Sequence, residues 1–262
     1  MSASKTLAFV LNTQDYRDTS LLGDFYTKDY GRIRGIVKGI RDTRARFGST
    51  LEPFSLNEIL FYRRRKGGDL HLISQVELVD LFPDVREDLE SLAAASYCTE
   101  LVKELVEGEE PSPGIFELMH DAIKFLSSGA SAKRACRIFE VKLFDLLGLV
   151  PEVKECVFCR TAPQGAVYFN VRAGGLVCES CAGKHRAGAR RVASAQNDTS
   201  APVSRGMLNF LDHVKRVPFS GLRPVKVSQE VGEELEKILR RFTDFHLSHK
   251  LKSLTFMEKI GL

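Results

Sequence analysis

The sequence lacks the features that mark a membrane protein or an enzyme. It has no apolar run near the roughly 20 residues that a membrane-spanning helix needs. Residues 7–11 form an apolar stretch too short for the core of a secretory signal peptide, and no cleavage pattern follows them. There is no phosphate-binding glycine loop, no dinucleotide-binding glycine motif, and no spacing of serine, histidine and aspartate typical of a catalytic triad. We therefore expect a cytoplasmic protein that contacts no membrane and catalyses no reaction.

The net charge is small, but the positive charge is concentrated in one segment. The chain has 262 residues and a formal net charge of +4. Residues 28–66 contain eleven Lys and Arg against four Asp and Glu, an excess of seven, so the rest of the chain carries a net charge of −3. Charge segregation of this kind is typical of a surface that binds a polyanion such as nucleic acid.

Four of the six cysteines form two C-x-x-C pairs with 18 residues between them, namely Cys156 with Cys159 and Cys178 with Cys181. A Gly174-Gly175 turn precedes the second pair and favours a hairpin. This spacing is typical of a tetrahedral four-thiolate Zn²⁺ site. Because four thiolates leave no open coordination position, we expect one structural zinc ion rather than a catalytic one. His185 is an alternative ligand, and a thioredoxin-like redox pair is a weaker alternative.

The other two cysteines indicate the compartment. Cys98 and Cys136 each lie on an apolar stripe with helical spacing, which predicts buried thiols rather than disulfide partners. Free thiols and a metal-binding cluster are both typical of a reducing, cytoplasmic environment.

The N-terminal part of the chain predicts β-structure. Five segments are rich in β-branched, aromatic or leucine residues and are separated by turn sequences: residues 5–12, 20–27, 31–39, 51–62 and 69–79. In the third segment, apolar residues alternate with Arg32, Arg34 and Lys38, so one face should point to a core and the other to solvent. We predict a small, partly open barrel of the OB type over residues 1–82, which binds nucleic acid across its second and third strands.

The basic residues of this region follow the predicted geometry of the barrel. They fall on the third strand, on the loop after it, and on the loop after the fourth strand. We predict DNA contacts from Arg32, Arg34, Lys38, Arg41, Arg44, Arg46, Arg63, Arg64, Arg65 and Lys66. Tyr26, Tyr30, Phe47 and Tyr62 lie among them, and each is a candidate either for stacking on bases or for packing in the barrel.

Beyond Pro83 the apolar residues recur with a helical period. The pattern predicts helices over residues 86–106, 115–126, 132–147 and 229–257. The predicted class is therefore α+β and multidomain, with an α-helical domain over residues 83–262. A zinc-binding hairpin at 152–185 interrupts this domain, and a flexible segment at 182–201, rich in small and polar residues, follows.

The order of short motifs along the chain resembles RecO, a family of bacterial DNA repair and recombination mediators. In the barrel region the motifs are Thr27-x-x-x-Gly31-Arg-Ile-Arg-Gly, Val37-Lys-Gly39, Leu51-Glu-Pro-Phe54, and Asp69-Leu70 followed by Glu77. Beyond it they are Tyr97-x-x-Glu-Leu101, Gly148-Leu-Val-Pro151, Gly174-Gly-Leu-Val-Cys178 and Leu251-Lys-Ser253. The four-cysteine hairpin lies at the place that the family pattern expects.

The resemblance implies a function that the residues alone do not. Members of this family bind single- and double-stranded DNA and anneal complementary strands. With RecR, and in some cases RecF, they help load RecA onto DNA coated by the single-strand-binding protein. The resemblance further implies that the helical domain binds the C-terminal tail of that coating protein.

Two other classes of function are open from the residues. In one, the chain is a protein-interaction scaffold whose basic barrel contacts an acidic protein partner. In the other it is a nuclease, which would need clustered acidic metal ligands near the basic segment. The acidic residues there are Asp29, Asp42, Glu52 and Glu58, and their spacing indicates no such site.

Overall fold

Five β-strands close into a barrel in the N-terminal part of the chain. The computed structural model describes residues 3–16, 19–38, 51–63, 70–149, 153–189, 200–222, 225 and 227–262. The barrel strands are β1 (Ala3–Tyr16), β2 (Ser20–Thr27), β3 (Gly31–Val37), β4 (Leu56–Tyr62) and β5 (Leu70–Asp80). They are ordered β1-β2-β3-β5-β4, β1 pairs back to β4, and only the β3–β5 pairing is parallel. The predicted α+β class and OB-type barrel are confirmed.

Alternation along β3 sorts its side chains as the sequence predicts. Ile33 and Val37 are buried in the barrel core, whereas Arg34 is exposed on the outer face and Lys38 is exposed just beyond the strand. The core is aliphatic and aromatic, and it includes Ala8, Val10, Phe25, Ile33, Val37, Leu51, Ile59, Phe61, Ile73 and Val76. Because β1 has 14 residues and pairs with both β2 and β4, it closes the barrel rather than leaving it partly open.

The fourth strand starts five residues later than predicted. Residues 51–55 form a turn in which Phe54 has φ = 55°, a left-handed conformation that does not continue a strand. The Phe54 ring is buried, and the guanidinium of Arg86 lies 4.0 Å from its centroid. Arg86 also donates to the Glu52 carboxylate at 2.8 Å and to the Pro53 carbonyl oxygen at 2.8 Å. The Leu51–Phe54 motif therefore fastens the barrel to the first helical residues.

The Thr27–Gly31 motif forms the turn between β2 and β3. The buried hydroxyl of Thr27 donates to the Gly31 carbonyl oxygen at 2.8 Å and accepts from the Tyr30 amide at 3.0 Å. Gly31 has φ = 64°, and a Cβ atom there would lie 2.4 Å from the carbonyl oxygen of Glu110. Only glycine satisfies both the backbone conformation and this close approach.

Eight α-helices and one short 3-10 helix, Phe219–Leu222, follow in the described part of the chain. The α-helices are α1 (Pro83–Glu87), α2 (Leu89–Leu105), α3 (Pro113–Ser127), α4 (Ala132–Leu146), α5 (Glu179–Ala189), α6 (Arg205–Arg216), α7 (Gln229–His246) and α8 (Lys252–Lys259). Two predicted helices are each broken in two. Asp88 has an extended conformation and caps α2 by accepting from Ser91 N at 2.8 Å, and residues 247–251 separate α7 from α8. Among the described residues, none of these helices has the length and apolarity to cross a membrane.

A small three-stranded sheet lies after α4. It consists of β6 (Val167–Asn170), β7 (Gly175–Cys178) and β8 (Ser200–Val203), in the order β7-β6-β8. Part of the segment 182–201, predicted to be flexible, is thus regular: α5 extends to Ala189 and β8 begins at Ser200. The small and polar residues of this segment do not predict β8, because the strand is stabilised by its pairing with β6 and not by its own composition.

The chain divides into two compact units, and the C-terminus returns to the first. One unit comprises Met1–Cys136 and Leu251–Leu262, and the other comprises Arg137–Lys250. Within the first unit, the Glu100 carboxylate on α2 accepts from the Lys252 amide at 3.1 Å and from the Ser253 amide at 2.8 Å. It also accepts from the Ser253 hydroxyl. Glu100 therefore caps the N-terminus of α8, and the Tyr97–Leu101 and Leu251–Ser253 motifs meet in space.

Replacing Glu100 with Ala should destabilise the first unit. The change leaves the two α8 amides without their charged acceptor, so we expect the free energy of unfolding to fall by about 1–3 kcal/mol. Urea denaturation followed by circular dichroism measures this. Glu117→Ala on the exposed face of α3 is the matched control, expected to change stability by less than about 0.5 kcal/mol. Equal effects of the two substitutions would show that the contact contributes nothing.

Candidate metal centre and nucleic-acid interface

The first cysteine pair lies on a tight turn. Cys156 N donates to the Thr161 carbonyl oxygen at 2.9 Å, and Arg160 N donates to the Cys156 carbonyl oxygen at 2.8 Å. Arg160 has φ = 58°, which reverses the chain immediately after Cys159. Val157 N donates to the Leu176 carbonyl oxygen at 2.8 Å, so the turn is attached to β7. The backbone therefore holds this pair beside the strand that leads to the second pair.

The second pair spans the junction of a strand and a helix. Cys178 is the last residue of β7, and Cys181 lies in the first turn of α5. As predicted, a hairpin turn containing Gly174, with φ = 69°, joins β6 to β7 ahead of this pair. The core around the cysteines is small, made of Cys156, Val177, Cys178 and Ala182 with three partly buried neighbours.

The four sulfur atoms have the spacing of a tetrahedral metal site. All four lie within 4.8 Å of one another, and Cys159 Sγ is 3.8 Å from Cys178 Sγ. A tetrahedron with metal–sulfur bonds of about 2.3 Å has edges of about 3.8 Å, so this pair already has the required separation. The donors therefore fit a metal ion held by Cys156, Cys159, Cys178 and Cys181. The alternative ligand His185 lies on α5 at a position whose side chain is outside the described residues.

The thiols differ in how readily they ionise. Burial alone would raise the pKa of Cys156, but hydrogen bonds from the backbone amides of Cys159, Cys178 and Phe158 outweigh it and lower the pKa to about 6. The Ser180 hydroxyl and the Cys181 amide lower the pKa of Cys178. The pKa of Cys181 is raised to about 12 by the hydrogen bond between Cys181 and Cys178 and by the burial of the Cys181 thiol. Because neighbouring thiolates repel one another, a cation bound among the four sulfur atoms would favour their ionised forms.

The outer face of the barrel presents cations beside β3. Arg34 and Lys38 are exposed and form no ion pair with another described residue. Arg34 lies opposite Asp24 on β2, and Asp24 lies opposite Asn12 on β1, so the three side chains share one row across the sheet. The side chain of Arg63, just after β4, is 43% exposed. Of the ten predicted cations, Arg41, Arg44, Arg46, Arg64, Arg65 and Lys66 lie outside the described residues.

Arg32 differs from the other cations because its donors are occupied. Its Nε and Nη2 donate to the two carboxylate oxygens of Asp24 at 3.0 and 2.7 Å. Its Nη1 donates to the carbonyl oxygens of Lys103 and Val106, at the C-terminal end of α2. The hydrogen bonds that Arg32 donates to Asp24 raise the pKa of Arg32, whose side chain is only 20% exposed. Alternation along β3 does not reveal this, because two of the partners, the carbonyl oxygens of Lys103 and Val106, lie more than 70 residues away in the sequence.

An acidic segment that matches no sequence motif lies over the turn end of β2 and β3. Residues 107–110, Glu-Gly-Glu-Glu, form an acidic strap that is exposed along its length. Arg32 N donates to the Gly108 carbonyl oxygen at 3.1 Å, and Glu109 contacts both Arg63 and His71. Three acidic residues among four are visible in the sequence, but nothing in the sequence indicates which surface they cover.

The contacts of the candidate aromatic residues show which of them are packed within the protein. Tyr26 is fully buried and donates its hydroxyl to the Ser112 carbonyl oxygen at 3.2 Å, so it packs rather than stacks on bases. Tyr30 packs edge-on against Phe61 at 5.2 Å and lies beneath the Arg63 guanidinium at 4.8 Å. Tyr62 is partly buried, and Phe47 lies outside the described residues.

Comparison with known proteins supplies the family. The chain matches the family model "Recombination protein O N terminal" over residues 1–82 and "Recombination protein O C terminal" over residues 86–255. It is 31% identical to the DNA repair protein RecO of Pelotomaculum thermopropionicum over 261 residues, covering 100% of this chain and 96% of the relative. It is 30% identical to the RecO of Syntrophus aciditrophicus, covering 98% of this chain and 95% of the relative. The chain belongs to the RecO family.

Membership confirms the resemblance drawn from the short motifs and the role in DNA repair and recombination. The RecO family is one of DNA repair mediators and not of catalytic enzymes. The two family models meet between residues 82 and 86, where the barrel ends and α1 begins. That four cysteines of this RecO chain lie close enough to hold a metal ion is a separate, structural finding.

Replacing Arg32 should destabilise the protein, whereas replacing Arg34 should remove a surface charge with little effect on stability. Arg32→Ala leaves Asp24, only 8% exposed, without its partner, so we expect the free energy of unfolding to fall by about 2–4 kcal/mol. Arg34→Ala removes an exposed side chain two residues away and should change it by less than about 0.5 kcal/mol. Thermal and urea unfolding of both variants measure the difference. A fully stable Arg32→Ala protein would contradict the assignment of Arg32 to the barrel–helix contact.

Proposed function

We propose that the chain is a DNA-binding recombination mediator. It binds single- and double-stranded DNA through the outer face of the barrel and anneals complementary strands. With RecR and RecF it helps load RecA onto single-stranded DNA coated by the single-strand-binding protein, whose C-terminal tail it binds. Family membership supports the role in repair, and the exposed cations at and after β3 are the observation that carries DNA binding. We expect it to act in the cytoplasm, at the nucleoid.

The physical basis of binding and annealing is neutralisation of phosphates. Exposed cations displace the counterions condensed on DNA, which favours binding without reading the base sequence. Two strands held by one cationic surface repel each other less, so pairing is favoured. Arg34, Lys38 and Arg63 belong to this surface, and Arg32 supports it from below. The remaining predicted contacts are Arg41, Arg44, Arg46, Arg64, Arg65 and Lys66.

A salt series tests this proposal. If about five phosphates are neutralised on a single strand, a plot of log affinity against log salt concentration should have a slope of about −3.5. Fluorescence anisotropy of a labelled oligonucleotide measures the affinity. Arg34→Ala with Lys38→Ala removes two contacts and should make the slope shallower by about 1.4.

The control for that variant is Lys124→Ala with Lys133→Ala. These exposed lysines lie on α3 and α4, and their loss changes the net charge equally without touching the barrel. It should leave the slope unchanged. A folded protein with no DNA affinity at low salt would overturn DNA binding, and the interaction scaffold with an acidic protein partner would replace it.

We also infer that the metal is one structural Zn²⁺ ion held by Cys156, Cys159, Cys178 and Cys181. Zinc favours tetrahedral thiolate ligands, and four of them leave no position for water or substrate. The core around the site is too small to hold the hairpin by burial alone. When bound, the ion would link the turn that carries Cys156 and Cys159 to the junction of β7 and α5. It would take part in no reaction.

Metal analysis tests the zinc site. We expect about one zinc ion per purified chain, and loss of that zinc together with a lower melting temperature in Cys156→Ser. Cys98→Ala is the matched control, because Cys98 is buried in α2 and belongs to the other compact unit. It should keep the zinc. Stoichiometric zinc in a protein lacking all four cluster cysteines would refute the site.

A further inference from the structure

We propose that the carboxylate of Glu109 occupies the position of a DNA phosphate, and that Arg63, His71 and Tyr30 form a phosphodiester-binding site beneath it. This inference rests on the proposed DNA binding. It adds a site that includes His71 and that stays partly blocked in the free protein.

The carboxylate of Glu109 contacts two nitrogen donors. His71 Nε2 donates to Glu109 Oε1 at 2.7 Å, and Arg63 Nη2 lies 3.6 Å from Glu109 Oε2. Carboxylate and phosphate oxygens accept from the same donors, and Arg in particular binds both through its planar fork. The group that holds Glu109 is therefore equipped to hold a backbone phosphate.

Glu109 satisfies these donors incompletely. The distance from Arg63 Nη2 exceeds the usual hydrogen-bond range of about 2.7–3.2 Å, so the contact is an ion pair without a good hydrogen bond. Arg63 Nε is buried and has no hydrogen-bond partner among the described residues. A phosphate set against the Nε–Nη2 edge would accept from both nitrogen atoms, which one distant carboxylate oxygen does not.

Aromatic packing holds the donors in place. The Arg63 guanidinium lies over the Tyr30 ring, whose edge packs on Phe61 at 5.2 Å. His71 is 5% exposed, and its ring packs edge-on against the same Phe61 at 5.4 Å. Both donors are therefore held in position by the packed rings of Tyr30 and Phe61. A phosphate that binds them needs to immobilise few side chains that are not already ordered.

The strap does not have to leave for the exchange to occur. Its backbone is anchored on both sides, by Arg32 N to Gly108 and by Tyr26 to Ser112. Only the side chain of Glu109, which is 42% exposed, must rotate toward solvent. The exchange replaces one oxyanion by another, so the cost of uncovering Arg63 and His71 is offset by the phosphate that replaces the carboxylate.

The test compares Glu109→Gln with Glu110→Gln in the full chain, using a labelled single-stranded oligonucleotide. Both variants lose one negative charge from the strap, but the Glu110 carboxylate forms no ion pair with another described residue. Glu109→Gln should bind DNA about two- to five-fold more tightly than Glu110→Gln, because it removes a competing ion pair. Its salt slope should be steeper by about 0.7, the contribution of one additional single-strand phosphate contact.

A second comparison assigns the effect to Arg63. In an Arg63→Gln background, Glu109→Gln should no longer tighten binding relative to its parent. Equal affinities of Glu109→Gln and Glu110→Gln would show that only the overall charge of the strap matters and would overturn the site, while wild-type binding still supports the proposed function. Weaker binding by Glu109→Gln would show that Glu109 positions the site instead. A wild-type chain that binds no DNA would overturn both proposals.

Discussion

The bidentate pairing of Arg32 with Asp24 determines the surface that the barrel presents. The pair is largely buried. The cost of removing its two charges from water is offset because Nη1 of Arg32 also donates to two carbonyl oxygens at the end of α2. This contact fixes where α2 ends over the barrel and therefore where the acidic strap lies. The strap covers the turn end of β2 and β3, whereas the side chain of Arg34 stays exposed. Arg32 thus supports, through its contacts with Asp24 and α2, the surface on which Arg34 is exposed.

The two functional features of the chain depend on different kinds of interaction. The barrel folds around at least ten buried apolar side chains, so it does not depend on the exposed cations Arg34 and Lys38 for its core. The cysteine hairpin has only a few buried residues around its four thiols, which lie close enough together to hold a metal ion. A DNA-binding defect and a metal-binding defect should therefore be separable, because Arg34 and Cys156 belong to different compact units.

Strong local patterns made much of this protein predictable. Ile33 and Val37 alternate with polar residues, which predicts a half-buried strand. The two C-x-x-C pairs come together through local structure alone, since each pair lies on a tight turn or strand end and one hairpin joins them. The breaks at Asp88 and at residues 247–251 were missed because the apolar period continues across them. Strand β8 was missed because Ser200–Val203 is held by pairing with β6, and such pairing leaves little trace in composition.

The sequence by itself determined the class of the fold, the family, the cluster of four thiols and the concentration of positive charge near β3. Each of these follows from residues that are adjacent or regularly spaced in the chain. Only the tertiary structure decided which cations are available to a ligand. Arg32 and Arg34 are two residues apart on one strand, yet one is held by Asp24 and α2 while the other is exposed. Arg63 lies 46 residues from Glu109 in the chain, and only the fold brings their side chains together, because charge pairing depends on distance in space and not along the sequence.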